Sequence, residues 1–150
     1  MVLSSVSIHN AIGGTAMVRN KIYDISAKDA RIIIQNADIS SNLLLVEIQG
    51  KSIQSWGDYI KNIQNAFKFP TDCLNSMDRY LDWIRDLGWL EKDSYTLIIH
   101  DFTTFLEQDL ALKKIIMDDF RDIILSWWER DVELYVVEGK AKPFNTFLVN

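Results

Sequence analysis

Three apolar runs of strand length limit how this chain can fold: LLLVEIQ at Leu43–Gln49, YTLIIH at 95–100 and FNTFLV at Phe144–Val149. Runs this short, and rich in β-branched and aromatic residues, suit buried strands. The intervals between them have helical period. Trp56, Tyr59, Ile60, Ile63 and Phe67 fall on one helix face, behind a Ser55-Trp56-Gly57-Asp58 sequence with the form of a capping box. Pro70 ends that helix, because a residue before proline avoids helical backbone. Leu112, Ile115, Ile116, Phe120, Ile123, Ile124 and Trp127 mark a longer amphipathic helix. Strands joined through helices have crossover connections, which favour parallel neighbours. The sequence therefore predicts an α/β domain with a small, mainly parallel sheet of three strands or slightly more, packed with helices. VELYVV at 132–137 is also strand-like, and a polar loop with Pro143 separates it from the last run.

The second helical interval carries an unusual charge pattern. In FPTDCLNSMDRYLDWIRDLGWL, residues 69–90, Asp78, Asp82 and Asp86 recur every fourth residue and stack along one side of a helix. The spacing predicts that helix over about Ser76 to Leu87, with Gly88 as its C-terminal cap. Met77, Tyr80, Leu81, Ile84 and Leu87 form its buried face. Like charges four apart repel by a few tenths of a kcal/mol per pair. Arg79 and Arg85 flank the column. Two readings follow: a solvated helix face, or an acidic face that binds cations. Trp83 lies between the buried side and the acids, where tryptophan often anchors an interface.

Charge balance favours a basic partner. The net charge is −5, but residues 71–138 hold sixteen acidic and seven basic side chains, while the remainder holds five acidic and nine basic. Such a field attracts basic proteins and repels phosphate backbones, so direct nucleic-acid binding is not expected. At 150 residues the chain suits a single globular core. The one cysteine, Cys73, permits no internal disulfide and fits a reducing compartment. Asp72 beside it would raise its pKa, so the thiol reads as inert. MVLSSVSIHNAIGG lacks the form of a leader and no apolar stretch reaches membrane length, so a cytoplasmic protein is expected.

Catalytic and cofactor motifs are absent. There is no phosphate loop, GxGxxG, HExxH or GxSxG. His100-Asp101, at the end of a strand, could orient a general base, but no nucleophile accompanies it and a structural histidine is the simpler reading. Asp78 with Asp82 supplies too few oxygens for Mg²⁺ or Ca²⁺. No cofactor and no metal are expected. Near the N-terminus, residues 6–8 and 16–18 could form a hairpin around Gly13-Gly14. Ser26 before AKDARIIIQNAD resembles a capping box, and the Ile32-Ile33-Ile34 run fits a helix or a strand.

From Leu43 onward the chain resembles the barstar-like family of intracellular ribonuclease inhibitors. The likeness is an ordered series. An apolar strand closes on Gly50, a helix runs from Trp56 to Phe67, and Phe69-Pro70 follows. Asp78 stands eight residues after Pro70 and Asp82 four later, ahead of Asp86-Leu87-Gly88-Trp89-Leu90; Phe120-Arg121-Asp122 lies on the last long helix. The resemblance implies a three-stranded parallel sheet, no enzymatic activity, and a helix and preceding loop that enter the active-site groove of a basic ribonuclease. It makes Asp82 the central inhibitory carboxylate, Asp78 its neighbour and Asp122 the acid on the later helix, with Asp86, Asp72 and Trp83 in support. Residues 1–42 are then an N-terminal extension, 43–150 the barstar-like domain, and the free protein is expected to be a monomer. The chain departs from the family pattern in the loop, where an aromatic pair, then Gly and Asn, usually stand between the proline and the acids and here the stretch reads Thr71-Asp72-Cys73-Leu74-Asn75-Ser76. Asp72 stands where a contacting tyrosine often lies, and Trp83 replaces a small residue. The alternatives are a binding module of the same fold for a DNase toxin or another basic protein, and a small enzyme using His100-Asp101.

Overall fold

A computed structural model describes residues 18–37 and 42–150. Its four strands are β1 (Ile22–Ile25), β2 (Leu43–Gln49), β3 (Ser94–His100) and β4 (Phe144–Val149). They form one sheet in the order β1-β4-β3-β2, and every pairing is parallel. β3 and β4 are central: Tyr95 to Ile99 and all of β4 are buried, which is why these runs read as continuously apolar. The expected α/β fold with a parallel sheet is observed, one strand larger than the minimum.

Alternation along the central strands feeds two cores. Tyr95, Leu97, Ile99, Phe144 and Leu148 join the larger one with helices α2 (Trp56–Ala66) and α3 (Met77–Ile84). Ile98, Phe147 and Val149 face the other side and pack with Ile25 of β1 and Ala30 and Ile33 of helix α1 (Ala27–Ala37). Residues 22–37, to which the sequence assigned no definite structure, thus supply an edge strand and the cover for a second face. Ser26 Oγ accepts the Asp29 N–H at 3.1 Å, and of the three isoleucines Ile33 is buried while Ile32 is exposed. That disposition is helical. The suggested hairpin over 6–8 and 16–18 lies, apart from Val18, outside the described residues.

The long C-terminal helix departs from ideal winding. It begins as α4 (Leu110–Asp119), with Asp109 accepting the Leu112 N–H at 3.1 Å. It then widens into π-type turns at Phe120–Ile124 and Trp127–Asp131 and ends as α5 (Val132–Tyr135). Ile116, Phe120, Ile124, Trp128 and Val132 are all buried although spaced by fours. A regular helix of ~3.6 residues per turn would rotate such a line by about 40° per step; wider turns hold it against the sheet.

The strand expected at 132–137 is not formed. Val132 to Tyr135 close the helix, and the Val136 N–H still bonds the Val132 carbonyl at 3.1 Å. Among the described residues no strand pairs with this run, and its β-branched residues belong to a helix end and the turn after it. At Gly139 the chain doubles back so closely that a Cβ would lie 2.3 Å from the Val132 carbonyl oxygen, which only glycine permits.

Candidate functional site

Residues 70–76 and α3 form one braced unit. Gln64 of α2 reaches the loop twice: its Oε1 accepts the Cys73 N–H at 2.9 Å and its Nε2 donates to Asp72 Oδ1 at 2.8 Å. Asp72 Oδ1 also accepts the Leu74 N–H at 3.2 Å, closing an Asx turn. The Trp56 indole donates to the Leu74 carbonyl at 2.6 Å, and the Trp83 indole to Thr71 Oγ1 at 2.9 Å. Arg79 Nη1 donates to the Asp72 carbonyl at 3.1 Å. Ser76 caps α3 by accepting the Arg79 N–H at 3.0 Å. Beneath the unit, the Tyr59 and Tyr80 hydroxyls hydrogen-bond at 2.6 Å. Cys73 is buried within it; burial pushes its thiol up, Arg79 opposes the shift and Asp72 adds to it.

Asp78 and Asp82 stand one turn apart on this support, both exposed. Among the described residues no ion pair reaches Asp78, which lies in the first turn of α3, where the helix dipole favours a negative charge. Asp82 has one, a single contact to Arg85 Nη2 at 3.2 Å, with the two side chains 73% and 31% exposed. Exposed pairs of this kind contribute ~0–1 kcal/mol, so a stronger cation can replace Arg85. Asp122, on the later helix, meets Arg121 Nε at 3.2 Å and is also exposed. Neither Asp78 nor Asp82 is turned inward.

Asp86 is not on the helix. α3 stops at Ile84 because Leu87, not Gly88, takes the left-handed conformation, with φ of 54°. Asp86 Oδ1 accepts the Gly88 N–H at 3.0 Å in the turn that follows. The column predicted as three acids is two deep. Trp83 packs edge-on against Trp89 at 5.4 Å and braces Thr71, so it supports the loop from beside the acids.

Two further residues belong to the arrangement: one left no trace in the sequence, and the other reads there only as one of three acids, with Asp118 and Asp122, on the outer side of the long helix. Gln64 is the first, because a hydrogen bond to a loop eight or nine residues later leaves no periodic trace. Asp119 is the other. Burial raises its carboxyl above the ordinary value, and Asp118 and Asp122 push the same way; its charge in turn helps raise the Tyr59 and Tyr80 phenols, which burial already lifts. Asp118 is held low by hydrogen bonds from Lys114 and Arg121. A half-buried acid between two others is a group whose charged form a nearby cation would favour.

The histidine expected at a strand end has other company. His100 Nε2 meets Glu47 Oε1 at 2.8 Å, and Asp101 is in a left-handed turn with φ of 49°. Among the described residues no three His, Cys, Asp or Glu side chains are grouped to hold a metal ion, and no helix is long and apolar enough to cross a membrane.

Residues 43–138 match the family model described as Barstar (barnase inhibitor). No match was found among curated proteins. Among solved structures the chain is similar to the Aeropyrum pernix ORC2 protein in its ADPNP–ADP complexes, at 12% identity and a TM-score of 0.56. The ADP form of that protein gives 13% identity and 0.53. In both cases 96% of this chain aligns with 38% of the other, so this chain spans under two-fifths of that protein. At such identity the likeness is one of fold alone.

Proposed function

The chain belongs to the barstar family of barnase inhibitors, and from that premise we propose that it is a non-catalytic inhibitor, or immunity protein, of a basic ribonuclease. The reading places Asp78 and Asp82 in the partner's active site, with Asp122 and Asp119 on the neighbouring helix in support. A ribonuclease site holds cations that stabilise phosphate. Carboxylates on a rigid support satisfy those cations and exclude RNA without any chemistry. Arginine–carboxylate pairs are short and often bidentate, and the acidic field speeds encounter. The observation that carries the reading is the pair of exposed acids on a braced loop-and-helix unit, one without an ion pair among the described residues and the other held by a single exposed contact. The setting it implies is a cell that makes a secreted or toxin ribonuclease and protects its own cytoplasm.

The test is capture from the producing cell with wild-type and Asp82→Ala baits, followed by purification of the partner and an RNA-cleavage assay. Wild type is expected to bind and silence a ribonuclease. Asp82→Ala is expected to lose on the order of 2–5 kcal/mol of binding, the usual scale for removing one partner of a buried charge pair, with its Tm unchanged. Equal affinity of the two baits would overturn the assignment. Recovery of a DNase or a basic protein without nuclease activity would favour the alternative, a binding module of the same fold.

A further inference from the structure

The acidic face runs into an apolar one. A groove of ≈ 400 Å³ has Asp82, Arg85 and Asp86 among its lining together with Trp127, Val132 and Val136. Past Val136 the surface stays uncovered: Leu134 is 68%, Tyr135 76% and Val137 92% exposed. Tyr135 lies flat against Trp127, with centroids 6.3 Å apart and planes 7° from parallel. Arg85 sits over the same indole at 5.4 Å from its centroid. The indole N–H of Trp127 is buried and has no acceptor among the described residues. Trp128 ties this helix to α3 by donating to the Ile84 carbonyl at 2.9 Å, so the two walls keep a fixed separation.

Contiguous exposed apolar side chains mark interaction sites in soluble proteins. What occupies this one follows from its neighbours. Two carboxylates with one arginine between them leave an acidic rim over an aromatic wall, which fits an apolar segment carried beside an arginine or lysine. Stable interfaces also need a desolvated apolar centre with aromatic anchors, and charged residues are depleted there. The column of acids cannot supply that centre; the groove beside Asp82 can. We propose that the groove and residues 134–137 are the apolar half of the same interface, seating an apolar, arginine- or lysine-flanked segment of the ribonuclease. This rests on the inhibitor reading above.

The experiment titrates inhibition of the purified, recovered ribonuclease by wild type, by Tyr135→Ser/Val137→Ser, by Leu134→Ser and by Asp82→Ala, at two salt concentrations. Both patch variants should keep the wild-type Tm, weaken inhibition tenfold or more, and leave the salt dependence unchanged. Leu134→Ser guards against an effect routed through the Tyr135–Trp127 stack. Asp82→Ala should weaken inhibition and also flatten the salt dependence. Full inhibition by both patch variants alongside loss in Asp82→Ala overturns this inference and leaves the inhibitor reading standing. Full inhibition by Asp82→Ala, or failure of wild type to inhibit, overturns that reading and this inference with it. Sedimentation of the free protein supplies the last arm: a dimer that the patch variants dissociate gives the surface to a second copy and overturns the proposal.

Discussion

Asp119 is the residue at which folding and binding pull in opposite directions. Burial raises its folded pKa above the unfolded value of 3.8. The folded chain therefore keeps a proton that the unfolded chain has released, and stability falls as pH rises through that window. The penalty is absent below 3.8 and grows as pH rises above it. Asp119→Asn is expected to raise Tm at pH 7, with the advantage shrinking as pH approaches 4, and to weaken ribonuclease inhibition; calorimetry at the two pH values checks the first part. A variant less stable than wild type at pH 7 would contradict it. The Tyr59–Tyr80 hydroxyl pair sets a second expectation at this scale. Both rings are fully buried, so Tyr59→Phe should leave the Tyr80 hydroxyl without its partner and reduce stability by ~1–3 kcal/mol in urea unfolding.

Among the elements, the loop before α3 has no regular structure, yet side chains from both flanking helices hold it. Gln64→Ala removes two hydrogen bonds, those to Asp72 and Cys73. It should lower stability by roughly 1–3 kcal/mol and speed amide exchange at Cys73 and Leu74 selectively, since loops open locally once their ties are cut. Uniform exchange across the chain would mean that Gln64 supports only the global fold. Two helix starts were legible because Ser26 and Ser55 make the hydrogen bonds their capping patterns imply. Helix ends were less so. Leu87 adopts a left-handed backbone where Gly88 was the expected residue, and this removed Asp86 from the column. The run at 132–137 was misread because a short β-branched segment has no period that separates strand from helix end. The π-type turns were invisible for a related reason: the four-residue spacing of Phe120, Ile124 and Trp128 fits an ordinary helix over any two turns.

For the molecule as a whole, charge and sheet order tell different stories. The surplus of acids in residues 71–138 predicts an association rate that falls steeply with added salt while dissociation changes little, measurable by stopped flow; barnase and barstar are the standard instance, so this expectation is carried over from the family. A salt-independent rate would mean that the acids are not steering the encounter. The parallel sheet was legible from the apolar runs and the helices between them. β1 was not, because a four-residue run reading IYDI is too short to show alternation. Its place depends on a strand at the far end of the sequence, to which Asn20 adds a clamp: its side chain donates to the Lys142 carbonyl at 3.1 Å and accepts the Phe144 N–H at 2.9 Å.

β4 lies between β1 and β3, and it leaves the ribosome after both of them. Until it arrives, its neighbours have no common seam, and the two cores that share its faces stay open to water. A nascent chain stopped before Phe144 should therefore remain soft to protease along its whole length instead of fraying at one edge. Assembly resembles an arch whose keystone is set last: nothing spans the gap until that stone is in, and the acids on α3 have no firm footing before then.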